Sequence, residues 1–293
     1  MNDEGKTTDP PATPVAAATA PDATTAPAAT LPGAHAPVRQ ALLDSLWDFG
    51  DAAASAERFR LAADDPAAGD IAQAELATQL ARALGLLGRF DEGDAVLDAL
   101  GAGAHPPGPP TNHPAERVEA RIALERGRLR LSAGLAEEAV PLFTLAVRKA
   151  VSAGAQFLAL DALHMLAIAD AGHEEEWAAE GLSVASKSTD DRTRRWAVAL
   201  HNNLGWYLHD AGRPEEALPE FQAALAAAES VGTADQRFIG RWAVARCLRT
   251  LGRAVEALAT QTRLAEERPD DEFVLAELAE LAASSGARPT IDV

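Results

Sequence analysis

One cysteine, Cys247, is all the thiol this sequence holds, so no disulfide can form within the chain. A lone thiol suits a reducing compartment, and a cytoplasmic location is the expectation. There is no run of about 18 apolar residues to cross a bilayer. The first residues, Met1 to Lys6, begin acidic with no leucine-rich stretch behind them, which argues against a secretory signal. Lysine stands only at Lys6, Lys149 and Lys187, and aromatic residues make up 5% of the chain. Positive charge is scarce as well. The formal net charge is −18, and a field of that sign repels nucleic acid and anionic membrane surfaces, excluding both as default partners.

Alanine is plentiful. Hydrophobic residues reach 47% of the 293, much of that alanine, which favours closely packed helices over a sheet of β-branched side chains. Residues 1–37 are rich in Ala, Pro and Thr, with almost no large apolar side chain. Such a segment buries too little surface to offset its ordering entropy and reads as a disordered tail, solvated or used as a tether. A short tail is also expected over 287–293. From Val38 onward the apolar spacing is helical, and no alternating β pattern competes with it.

Six glycines, Gly50, Gly88, Gly134, Gly172, Gly212 and Gly252, each lead into a helix, and Gly286 closes the series at successive spacings of 38, 46, 38, 40, 40 and 34 residues. Periods in this range signal a helical solenoid. Glycine ends a first helix where a left-handed conformation is needed. The acidic residues that follow, such as Glu137, Glu138, Glu215 and Glu216, suit the positive end of the next helix.

The fifth unit reads Asn203, Leu204, Gly205, Leu208, Gly212, Ala217, Phe221 and Ala224, and the third repeats it with Gly127, Gly134, Ala139, Phe143 and Ala146. The sixth has Ala245, Leu248, Gly252, Ala257 and Pro269. This pattern resembles the tetratricopeptide repeat family, and Asn202-Asn203-Leu204 is similar to the Asn-Asn-Leu run of kinesin-light-chain-like repeats. The resemblance implies an all-α, right-handed superhelical α-solenoid of about six helix hairpins. Their expected bounds are 38–69, 70–100, 114–153, 155–188, 191–231 and 234–269, with a capping helix over 270–284. Gly101 to Pro114 forms a Gly/Pro-rich insertion behind the spacing of 46. Trp177 stands where the fourth unit needs a small residue, so that hairpin is expected to splay or shift register.

No constellation for catalysis emerges. His173-Glu174-Glu175-Glu176-Trp177 lacks the second histidine of a zinc-protease helix, and His201 and His209 frame no carboxylate motif. There is no phosphate-binding Gly-Lys-Ser/Thr and no nucleophile elbow. Cys247, between Arg246 and Leu248, reads as a buried structural thiol rather than a nucleophile. The expectation is a protein that is not an enzyme, with no cofactor and no metal.

The resemblance also implies a binding surface, because first helices of such hairpins line a concave groove. Family geometry turns Ala199, Asn202, Trp206 and His209 inward in the fifth unit, and Ile239, Trp242, Arg246 and Arg249 in the sixth. Asn202 is then expected near Trp242, Trp206 near Arg246, and His209 near Arg249. With Asn203 they form a patch of amides, indoles and guanidinium groups. Such a patch suits a protein or peptide partner, through an acidic or C-terminal segment. Ile239 and Ala243 stand where a chaperone-type carboxylate clamp would need basic residues. The bland alternative has the tryptophans in the core and the arginines in solvated pairs with Glu277 or Glu280. The leading functional expectation is an adaptor that holds a protein segment. A ligand-sensing regulator and a structural subunit are the alternatives.

Overall fold

The computed structural model describes residues 36–102 and 113–286. Residues 1–35 of the tail expected over 1–37, the tail expected over 287–293, and most of the Gly/Pro-rich insertion lie outside the described residues. Every regular element among the described residues is helical. Two short helices, α1 (Gln40–Leu46) and α2 (Ala52–Ala63), are followed by α3 (Asp70–Leu86), α4 (Phe90–Ala102), α5 (His113–Ser132) and α6 (Ala136–Ser152). Next come α7 (Gln156–Ala169), α8 (Glu174–Lys187), the single turn α9 (Asp191–Arg194), α10 (Trp196–Asp210) and α11 (Pro214–Val231). The chain closes with α12 (Ala234–Thr250), α13 (Ala254–Glu267) and α14 (Glu272–Gly286). Consecutive helices pack as antiparallel hairpins, and each hairpin stacks on the next, so the fold is an all-α solenoid.

Two of the hairpins show why this sequence closes so tightly. In α5, Gly127 leaves a notch that the Phe143 ring of α6 fills; a Cβ there would meet the ring at 2.5 Å. Gly205 of α10 does the same for Phe221 of α11, at 2.7 Å. Both phenylalanines are fully buried, with Ala139, Ala146, Ala217 and Ala224 as small neighbours. Glycine and alanine allow the helix axes to approach, and the phenylalanine supplies the apolar area.

The turns follow the expected chemistry with one exception. Gly88, Gly134, Gly172, Gly212 and Gly252 adopt φ between +72° and +90°, a region that strains any side chain with a Cβ. Gly50 does not. There Asp51 takes over as the cap of α2, accepting a hydrogen bond from the Ala54 N–H, so no left-handed residue is needed.

In the fourth hairpin Trp177 stays half-buried, packed against the core. Trp177 turns partly outward, and its indole N–H donates to Asp170 at 2.8 Å. Ala178 and Gly181 of α8 are buried, with Gly181 pressed against Leu200 of α10.

Candidate functional site

The first helices α3, α5, α7, α10, α12 and α14 touch one another in succession and share one face of the solenoid. That face carries most of the buried polar side chains, and it has two parts.

The first part spans α10, α12 and α14, where the sequence places the patch. Trp206 lies beside Trp242 with ring centroids 5.7 Å apart, and the Arg246 guanidinium sits 5.7 Å from each ring. Trp206 therefore does approach Arg246. Asn202 donates to its neighbour Asn203 at 3.5 Å, and Trp242 meets Phe273 of α14. His209 bonds to the Thr250 hydroxyl at 2.9 Å, one position beyond the expected Arg249.

Both indoles are largely core, 8% exposed each, packed with Phe221, Phe238 and Leu248. The arginines correct the expectation of a solvated pair. Glu277 of α14 is 2% exposed and accepts from Arg246 at 2.8 Å and from Arg249 at 2.7 and 3.0 Å. It is a buried three-group bridge between α12 and α14. Asn202 and Asn203 are different: half-buried, they make no other side-chain hydrogen bond among the described residues.

The second part, over α3, α5 and α7, is not anticipated by the sequence patch. Glu75 of α3 is fully buried and accepts from the Val38 N–H, Arg117 and Arg121. Two turns beyond Arg121, Arg128 bridges Glu125 on its own helix and Asp161 of α7. His164, one turn beyond Asp161, is 1% exposed, and neither ring nitrogen finds a hydrogen-bond partner. Burial pushes its pKa down to about 4 despite the nearby Asp161 carboxylate, while Arg128 and Arg82 add to the depression. The available signal was the spacing of Arg117, Arg121, Glu125 and Arg128 on a single helix, steps of four and three that place charge on one face.

This part narrows into a cleft because the solenoid closes on itself. Arg192, on α9, reaches across to Asp44 of α1 and pairs with both carboxylate oxygens at 2.6 and 3.0 Å. It also lies 4.9 Å from the Phe157 ring. Trp47 donates to Gln79 at 3.0 Å on the same wall. Two residues 148 apart in sequence thereby clasp the first hairpin to the fifth.

The remaining candidates are placed plainly. Cys247 is buried, its Sγ 3.4 Å from the Pro214 carbonyl, and burial pushes the thiol pKa up to about 11. A thiol held protonated in this way is a poor nucleophile. His201 pairs with Glu220 at 2.7 Å. Among the described residues no cluster of three or more His, Cys, Asp or Glu side chains is arranged to hold a metal, and no helix is long and apolar enough to cross a membrane.

Comparison with known protein families agrees with this geometry. The family model described as tetratrico peptide repeat matches residues 120–230 and 197–288. Among solved structures, the chain is similar to TPR-like repeats described as kinesin light chain from Podosopora anserina, at 16% identity and a TM-score of 0.46. That match covers 72% of this chain and 96% of the other. A thermophilic TPR protein of Thermus thermophilus matches at 21% identity and a TM-score of 0.41, over 72% of this chain and 99% of that one. No curated protein gives a significant match.

Proposed function

Because the chain belongs to the tetratricopeptide repeat family, whose repeats generally mediate protein–protein interaction, we propose that it is a non-catalytic adaptor that holds a partner segment on its concave face. The contact residues of this reading are Asn202, Asn203, Trp206, His209, Trp242, Arg246 and Arg249. The observation that carries it is the asparagine pair. Two half-buried amides stand on the shared face of the first helices, and their only side-chain bond among the described residues is to each other. An amide is a poor helix former and costly to cover without partners, so hairpin packing gives no reason for it. An extended peptide backbone offers the alternating donors and acceptors that two adjacent amides can pair with.

The other five residues enter this reading in supporting roles. Trp206 and Trp242 offer an apolar edge beside the amides, since most of each ring is already core. Arg246 and Arg249 hold Glu277 and supply positive potential to an acidic or C-terminal partner segment. His209 closes the patch at Thr250.

The test is retention of partners by immobilised protein. An Asn202→Ala/Asn203→Ala variant removes both amides without touching a core contact, and alanine raises helix propensity at both positions. We expect it to retain its specific partner about tenfold more weakly than wild type. Equal retention by a variant with unchanged circular dichroism would contradict the reading.

A further inference from the structure

The helix α1 and its lead-in, residues 36–46, do not bond to the next hairpin alone but lie across the concave face. At one end the Val38 N–H donates to Glu75 of α3 at 2.6 Å, and the Val38 carbonyl accepts from Arg117 of α5 at 3.4 Å. Farther along, Asp44 takes both nitrogens of the Arg192 fork on α9. Gln40, Leu43 and Asp44, spaced as one helix face, turn toward Phe157 and Asp161 of α7. Side chains that read a backbone at one end, and an amphipathic face laid into a groove, are the means by which a bound segment is held. The space left beneath it is about 40 Å³, so the segment fills its seat.

This segment can leave without undoing the helices below. With seven residues, α1 is too short to stay helical alone, and its buried apolar side chains over 36–46 are Val38, Leu42 and Leu43. The floor keeps its charges matched in its absence. Glu75 retains Arg117 and Arg121, Arg128 retains Glu125 and Asp161, and Arg82 has the charges of Glu125 and Asp161 nearby. No buried ion is stranded. The far end is anchored: the Leu46 carbonyl accepts from Arg58 of α2 at 2.8 Å, and Trp47 packs on Phe59 of α2 at 5.0 Å between ring centroids. The anchor makes a pivot.

We propose that residues 36–46 are a releasable strap, a ligand built into the chain, which covers the concave face of α3, α5 and α7 and must unfold from it before a partner segment can lie there. The proposal rests on the reading that partners are held on the concave face, and adds that part of this face is occluded until the strap lets go. An order-to-disorder change of one short segment is a known form of switch. The asparagine pair on α10 takes no part in the contacts above.

The experiment uses the full-length protein and a fluorescein-labelled peptide of residues 36–46. Leu43→Lys/Asp44→Lys sets two positive charges against Arg121 and Arg192, which releases the strap and leaves the floor intact. Fluorescence anisotropy is expected to show the peptide binding this variant at least about tenfold more tightly than wild type, where the tethered strap competes at a high effective concentration. The peptide carrying the same two substitutions is expected to bind neither protein. Hydrogen exchange of the wild type serves if the variant does not fold: the α1 amides are expected to exchange at least about tenfold faster than those of α3 and α7. Equal peptide binding by wild type and folded variant, or binding by neither, overturns the proposal, and so does exchange of α1 in step with α3. No partner is present in either measurement, so the strap can fail while the adaptor reading stands. Equal partner retention by Asn202→Ala/Asn203→Ala, in turn, leaves the peptide result unchanged.

Discussion

Glu277→Ala is expected to lower the stability of the C-terminal hairpins by about 3–5 kcal/mol, the usual cost of removing one member of a buried ionic group. The carboxylate is 2% exposed and accepts three hydrogen bonds from Arg246 and Arg249. Truncation removes the carboxylate that joins the two guanidinium groups at the α12–α14 contact. Arg246 is itself only 8% exposed, so water cannot take over the lost role cheaply.

Arg249→Ala is expected to cost less, because Glu277 keeps Arg246 and the Arg249 side chain is already 24% exposed. Urea unfolding followed by Trp fluorescence and by circular dichroism measures both. The fluorescence transition is expected to move first, since Trp206 and Trp242 lie at this contact. In a solenoid, loss of the terminal cap exposes the next repeat, so the effect is local at the start and then spreads. A Glu277→Ala loss below about 1 kcal/mol, the range of an exposed pair, would show that the bridge is not buried in solution.

The second large effect is a dependence on pH set by His164. Its pKa is about 4 in the folded protein, against 6.5 for the free side chain. Because the folded value is depressed, the contribution is fully present above 6.5 and is lost as the pH falls from 6.5 toward 4. Over that window the unfolded chain binds a proton that the folded chain refuses. The depression corresponds to about 3 kcal/mol of stability, lost by pH 4.

His164→Phe removes the titrating group and keeps a ring beside Trp196, which lies 5.2 Å from the imidazole centroid. Stability of the two proteins, measured by urea unfolding at pH 7 and at pH 4, is expected to diverge in favour of the variant on acidification. The neutral imidazole leaves both nitrogens unbonded, so the variant loses nothing at pH 7 beyond packing. Parallel acid profiles would mean that water or a partner reaches His164.

The fold was largely readable from the sequence, and the reason is local. The Gly127–Phe143 and Gly205–Phe221 notches, the turn glycines and the small residues between them recur along one stretch of chain at regular spacing. A period is visible without knowing any long-range contact. The exceptions are also local: Gly50 is relieved of its left-handed role by the Asp51 cap, and Trp177 is held half-buried by its bond to Asp170.

The candidate site was legible only on α10 and α12, where Asn202, Trp206, Trp242 and Arg246 follow the inward spacing of three and four. Sequence spacing alone does not say that Arg246 and Arg249 are occupied, because Glu277 lies on the next hairpin. The polar face of α3, α5 and α7 has the same spacing but reads as an ordinary solvated face until the solenoid curves and buries it. The clasp is the extreme case. Nothing local to Asp44 or Arg192 indicates a bond between residues 148 apart; it exists because superhelical curvature brings the first and fifth units together.

The central claim is that the concave face, not the outer one, holds the partner. The most direct measurement places a photo-crosslinking amino acid at one position of each surface in the full-length protein. Asn203 marks the concave face, and Val255 on α13, 84% exposed, marks the outer one. After irradiation in lysate, covalent adducts to a defined partner are expected from position 203 and not from position 255. Adducts from position 255 alone would contradict the account and assign the holding surface to the second helices.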